Sequence, residues 1–207
     1  KEFIDFIKFG FGTSLITPSL EEKIKIYKEA GVNPYFGGTL FEIFIVRNKF
    51  DEYRKFVDSF GLEFVEVSDG SMELDFEQKL NYIRILAKDH KVLSEVGSKQ
   101  ESVHLSNEKW INMINNEINA GSWKVIAEAR ESGTIGIYTK DGKPNYQLIN
   151  DISANADVNK IIWEAPLKSQ QAVFVQIFGT NVNLGNIPVN EVLSLETLRL
   201  GLRGDTF

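Results

Sequence analysis

The sequence predicts an α/β fold of the TIM type, a (β/α) barrel, and three observations carry that expectation. Short apolar runs alternate with amphipathic stretches along the whole chain, giving seven strand–helix units. The runs are apolar on both faces, which is the pattern of parallel strands covered by helices. Several runs end in glutamate (Glu66, Glu95, Glu128 and Glu164) at near-regular intervals. A TIM barrel uses about 31 residues per unit and eight units in about 250, so 207 residues accommodate roughly seven. The expectation is therefore a barrel whose first unit precedes Lys1, which is not a methionine. An open doubly wound sheet is the rival, but Gly10-Phe-Gly-Thr-Ser14 lacks the third glycine of a dinucleotide-binding loop.

The elements follow in order. Phe3 to Phe9 reads as the first strand, followed by Gly10-Phe11-Gly12. Ser19 opens a helix with Glu22 as the partner of a capping box, and Leu20, Ile24 and Tyr27 recur at helical spacing up to Gly31. Val32 to Phe36 is a strand ended by Gly37-Gly38, and one helix is expected from about Leu40 to Phe60, before Gly61. Phe64–Val67 is a strand, Asp75 to about Asp89 a helix, Lys91–Val96 a strand, and Ser106–Ala120 a helix closed by Gly121. Lys124–Ala129 is a strand, and Lys140-Asp-Gly-Lys143 a turn. The helix Tyr146–Ala154, strand Lys160–Glu164, helix Ser169–Phe178, strand Val182–Ile187 and helix Glu191–Leu202 complete the chain.

Composition agrees with a single folded domain over residues 1–207. The hydrophobic fraction of 43% and charged fraction of 25% are those of a globular protein with a substantial core. No run approaches the roughly 20 apolar residues of a membrane span. No basic-then-apolar leader opens the chain, so a cytoplasmic protein without a membrane partner is expected. Cysteine is absent, excluding disulfides, thiolate metal sites and a cysteine nucleophile. A net charge of −6 argues against a nucleic-acid partner, whereas local lysines and arginines still suit anionic small molecules. Homo-oligomerisation is left open.

Carboxylates at strand ends are the strongest chemical signal, because catalytic residues of barrels sit at the C-terminal ends of strands. A glutamate inside an apolar run is buried or lines a cavity, and needs a partner or a cation. Several converging in one mouth would make an oxygen-ligand site for Mg²⁺, with Glu66, Glu95 and Glu164 as expected ligands. Structural ion pairs with Lys8, Lys124 or Arg130 are the competing reading for any one of them. Lys8, flanked by phenylalanines at 6 and 9, needs anionic company, either a substrate or a neighbouring glutamate. Arg130, Ser132 and Lys168 follow strand ends, and the turn Asn183-Leu-Gly185-Asn186 offers backbone and amide donors for phosphate. Lys99 lies in a loop after Gly97, and His104 in a polar stretch where solvation is the default.

Eight segments resemble the phosphosulfolactate synthases of archaea and spore-forming bacteria. They are Asp5-Phe-Ile-Lys-Phe-Gly-Phe-Gly-Thr-Ser14, Gly37-Gly-Thr-Leu-Phe-Glu42, Glu66-Val-Ser-Asp-Gly70, Leu93-Ser-Glu-Val-Gly97, Glu128-Ala-Arg-Glu-Ser-Gly133, Glu164-Ala-Pro166, Asn183-Leu-Gly-Asn-Ile187 and Leu195 through Phe207. The resemblance runs in order along the whole chain. It implies a TIM barrel performing Mg²⁺-dependent addition of sulfite to phosphoenolpyruvate, which gives (2R)-phospho-3-sulfolactate. It also implies that Lys99 is the general acid at C2; Lys8 and Glu128, from their places at strand ends, are expected to complete the catalytic set. The family has a further strand, ending in Asp-Lys-Gly, ahead of the segment that begins this chain, and a tryptophan in place of Phe11. Two alternatives stay open: another barrel lyase such as an aldolase, for which Lys8 would be the Schiff-base lysine, and a non-catalytic stress-related barrel like the plant relatives linked to heat tolerance.

Overall fold

The computed structural model describes residues 2–97, 105–129 and 132–207. Lys99, His104 and Arg130 lie outside them. The described chain runs β1 (Phe6–Phe9), α1 (Leu20–Glu29), β2 (Asn33–Phe36), α2 (Gly38–Val46), α3 (Phe50–Ser59), β3 (Phe64–Val67), α4 (Phe76–Leu86), β4 (Lys91–Val96), α5 (Asn107–Ala120), β5 (Ser122–Ala127), α6 (Tyr146–Asn155), β6 (Ile161–Glu164), α7 (Lys168–Phe178), β7 (Leu184–Gly185) and α8 (Val192–Arg199). This is the strand–helix order of a TIM-type (β/α) chain, and the strand pairs of both units are parallel. Among the described residues no helix is long and apolar enough to cross a membrane. The chain gathers into two compact units, Lys1–Glu95 with Glu117–Trp123, and Val96–Asn116 with Lys124–Phe207.

In the first unit β1 pairs with β2 from Phe6↔Asn33 to Phe9↔Phe36, and β3 with β4 from Phe64↔Lys91 to Val67↔Ser94. Every residue of β3 is buried, and all of β4 except Lys91, as doubly covered strands require. Leu40, Phe41, Tyr53, Val57, Val65, Val67, Leu80, Ile83 and Leu86 pack one continuous core, each such burial contributing about 1.5–3 kcal/mol. The first helix closes at Gly31 as expected, with Val32 N–H donating to Tyr27 O at 2.9 Å.

Two expectations in this unit are corrected. The capping box at Ser19 does not form: Ser19 takes a left-handed conformation (φ 51°, ψ 43°) and its side chain makes no cap bond. The single helix expected over 40–60 is two helices. Asn48 adopts φ 56°, and the N–H groups of Asn48 and Lys49 donate to Ile45 and Phe44 carbonyls at 2.9 Å each. That is a helix stop built on asparagine, the residue that tolerates the left-handed region best after glycine.

In the second unit β5 pairs with β6 from Val125↔Ile161 to Ala127↔Trp163, and β6 with β7 at Trp163↔Leu184 and Glu164↔Gly185. Trp163 is fully buried and stacks on Phe174 and Phe178, with centroids 5.2 and 5.3 Å away. Leu195 and Leu198 of α8 pack on Ala172 of α7. The strand expected at Lys124–Ala129 is displaced to Ser122–Ala127, so Glu128 follows the strand instead of lying within it. The last strand is two residues long instead of six, because Asn186 turns left-handed (φ 55°) and Pro188 has no N–H to extend the ladder. The turn at 140–143 is as expected, closed by Thr139 N–H to Lys143 O at 2.8 Å.

Candidate active site

The first unit brings Lys8, Glu66 and Glu95 together. Strand β1 places Lys8 opposite Tyr35 of β2, and β3 and β4 present Glu66 and Glu95 near their C-terminal ends. Lys8 Nζ lies 3.0 Å from Glu66 Oε1 and 3.8 Å from Glu95 Oε2. Both carboxylates are buried, at 1% and 4% exposure, while the lysine side chain is one-third open at 33%. Strand β2 turns at once into α2, so the first amide of that helix, Gly38 N–H, donates to Glu66 Oε1 at 2.5 Å. A carboxylate at a helix N-terminus gains from both the free N–H and the helix dipole. Burial still pushes the Glu66 carboxyl above its ordinary range. Lys8 pulls it back, and the charge of Glu95 pushes it further up. Glu66 Oε2 is buried with no hydrogen-bond partner among the described residues.

Residues 37 and 38 must be glycine for this approach. A Cβ on Gly37 would lie 2.9 Å from Lys8 Cε, and one on Gly38 would collide with Ser68 and come 2.9 Å from Glu66 Oε1. One turn along α2, Glu42 Oε1 accepts from Ser68 Oγ at 2.5 Å. Beyond it, fully buried Lys79 of α4 contacts Asp69, Glu95 and Glu117. Glu42, Asp69, Lys79 and Glu117 were not singled out from the sequence. The signal was present: each of Glu42, Lys79 and Glu117 is a charge on the apolar face of a helix, the same anomaly that marks the strand glutamates.

The second unit holds the other two strand-end glutamates. Glu128 N–H donates to Val96 O at 3.0 Å, and its side chain is 2% exposed. Gly97, with φ 151°, faces it: a Cβ there would stand 2.7 Å from Glu128 Cβ and 3.0 Å from Oε2. Glu164 Oε2 accepts from Ala129 N–H at 2.9 Å, so the two glutamates are linked through one residue of backbone. Tyr138 donates to the Glu164 carbonyl at 2.7 Å, and burial together with Glu164 pushes its phenol well up.

The expected phosphate contacts are more dispersed. Lys168 is 41% exposed and pairs with Asp205 at 2.5 Å. Asn183 donates its amide to the carbonyls of Asn159 and Ile161 at 3.2 and 3.1 Å. Gly185 pairs with Glu164 in the ladder, Asn186 is exposed, and Ser132 Oγ lies 2.9 Å from Thr134 Oγ1.

The family profile of (2R)-phospho-3-sulfolactate synthase (ComA) matches residues 1–205. The chain belongs to that family. Among phosphosulfolactate synthases, that of Bacillus subtilis is 46% identical over 209 residues, covering 100% of this chain and 83% of the relative. That of Methanocaldococcus jannaschii is 46% identical over 213 residues, covering 100% and 84%. That of Methanothermobacter thermautotrophicus is 41% identical over 211 residues, covering 99% and 82%.

For a synthase of this family the carboxylates can be tested as a Mg²⁺ site on their own chemistry. Among the described residues no three acidic or histidine side chains form a complete metal cage. Mg²⁺ does not need one, since it commonly binds one or two carboxylates and completes its shell with water and substrate. Glu66 and Glu95 meet that requirement: two hard oxygen donors share Lys8, and Glu66 Oε2 is uncommitted among the described residues. Glu164 has one oxygen engaged by Ala129 N–H.

Proposed function

We propose that the chain is a phosphosulfolactate synthase in activity as well as in family, joining sulfite to phosphoenolpyruvate with Mg²⁺ to give (2R)-phospho-3-sulfolactate. The observation that carries this reading is the pair of buried carboxylates, Glu66 and Glu95, bridged by the partly open Lys8. Sulfur attacks C3 with its lone pair, and the C2–C3 π electrons move through C2 into the substrate carboxylate. A proton then adds at C2; one C–S and one C–H bond form, and the phosphate ester stays intact. Mg²⁺ on Glu66 and Glu95 would supply Lewis-acid stabilisation of the charge gathering on that carboxylate. Lys8 offers a cation to two anions that repel one another. The N-terminus of α2 keeps Glu66 oriented through Gly38 N–H. In this reading Lys99 gives the proton at C2, and Glu128 completes the catalytic set. Glu164 would be a further oxygen ligand for metal, and Arg130, Ser132, Lys168 and the turn Asn183-Leu-Gly185-Asn186 would hold the phosphate. Lys168 would exchange Asp205 for phosphate on binding.

Incubating the protein with sulfite, phosphoenolpyruvate and Mg²⁺ and following the phosphorus resonance tests the proposal. Conversion to a phosphosulfolactate, lost with EDTA and restored by Mg²⁺, is expected. Absence of product at high enzyme concentration overturns the reading. A Schiff-base reaction at Lys8 is disfavoured, because its nitrogen is engaged by two carboxylates instead of standing as a free amine.

A further inference from the structure

Lys79 is a fully buried charge in the first unit. Its side chain is fully buried on the inner face of α4, in line with Phe76, Leu80 and Ile83. Nζ donates to Asp69 Oδ1 at 2.8 Å and to the Glu95 carbonyl at 2.6 Å. Glu117 Oε1 stands 2.8 Å away as an ion pair. An ammonium with three donors and no acceptor is suited to such a hub.

The placement of the acceptors has a specific geometric meaning. The β3–β4 ladder ends at Val67↔Ser94. Glu95 is the next residue of β4 and Asp69 lies two residues beyond β3, and Lys79 joins the two there. Lys8 bridges the two strand ends through the carboxylates of Glu66 and Glu95. Lys79 bridges them through Asp69 and the backbone of Glu95 itself. Glu117, fully buried, braces the ammonium from α5.

We infer that Lys79 is a positioning residue for the reaction: it pins the backbone of Glu95 to the loop after β3 and thereby sets the Glu95 carboxylate against Glu66 and Lys8. This rests on the synthase reading for its functional meaning, though not for its geometry. Misplacing a catalytic group by about 1 Å costs about 100-fold in rate.

Lys79→Met alone would leave fully buried Glu117 without its cation and is expected to melt early, so the deciding variant is Lys79→Met/Glu117→Met, in which Asp69, 18% exposed, still reaches solvent. A buried ion pair replaced by apolar groups of similar volume often keeps stability. Positioning predicts that the double variant melts near wild type while kcat falls by about 10- to 100-fold, with KM for phosphoenolpyruvate changed less. A purely structural role predicts that activity returns with stability, and a kcat within two-fold of wild type overturns the inference. A double variant that stays unstable also overturns it, since the pair then supports the core and not the site. If wild type itself shows no turnover, the synthase reading fails separately. Hydrogen exchange of the 93–97 segment then decides for Lys79: at least ten-fold faster exchange in the double variant supports the pin, and unchanged exchange removes it.

Discussion

Glu66→Gln separates the chemistry of the first-unit cluster from its structural role. Glutamine keeps an oxygen for Gly38 N–H and for Lys8, and removes only the charge. At 3.0 Å and an effective dielectric of about 20, the lost Coulomb attraction is roughly 5 kcal/mol. Desolvating the buried carboxylate opposes it by several kcal/mol, and Lys8 is 33% exposed, so the net loss is about 0–1 kcal/mol. The new amide N–H₂ falls where Oε2 has no partner among the described residues, which costs about 1–3 kcal/mol, offset in part by relief of the buried charge. A net destabilisation of about 1–2 kcal/mol follows, and at about 2–4 °C per kcal/mol the melting temperature drops by about 2–8 °C. Turnover responds far more: losing one preorganised electrostatic contact to the transition state costs about 10²–10³ in kcat. Melting curves and steady-state kinetics on one preparation give both numbers. A kcat within three-fold of wild type, with the melting shift as stated, would show that Glu66 serves the fold alone.

Further outcomes follow from the same structure. Burial holds the Glu117 carboxyl above its ordinary 4.5, with Lys79 pulling it back only in part. Its contribution to stability is therefore full below about pH 4.5 and lost as pH rises through the raised folded-state value, so wild type should lose melting temperature relative to Glu117→Gln over that rise. Asn48→Ala removes the short polar side chain that eases the left-handed conformation at φ 56° and should cost about 1 kcal/mol, a fall of about 2–4 °C, with kcat unaffected. Lys99→Ala should lower kcat by about 10²–10⁴ if Lys99 gives the proton at C2; a change of only a few-fold would move the donor elsewhere.

The strands were the most legible part of the chain. Phe64–Val67 and Lys91–Val96 read correctly to the residue because doubly buried parallel strands concentrate apolar residues between polar ends. Helix punctuation was less legible. Asn48 stops a helix as glycine would, yet asparagine is common within loops and helices alike, so Arg47-Asn48-Lys49 gave no unique signal. Ser19 has the composition of a cap without its backbone angles, which the sequence does not encode locally. In the site, charged residues inside apolar strands were found because the alternation of a strand is short. Lys79 and Glu42 were missed because the apolar face of a helix shows only when residues three and four apart are read together.

The stack of Trp163 on Phe174 and Phe178 makes the second unit spectroscopically self-reporting. Nearly parallel rings held in a dry environment give a strong near-ultraviolet dichroic signature that vanishes when the side chains lose fixed packing. The first unit carries its own chromophore, Trp123, tilted against Phe6 and Phe64 with the Lys91 ammonium 5.8 Å from its ring. A cation over an indole alters its emission, so the two tryptophans are expected to emit at different wavelengths. Single-tryptophan versions of the chain can therefore report the melting of each unit as a separate optical channel, without any added label.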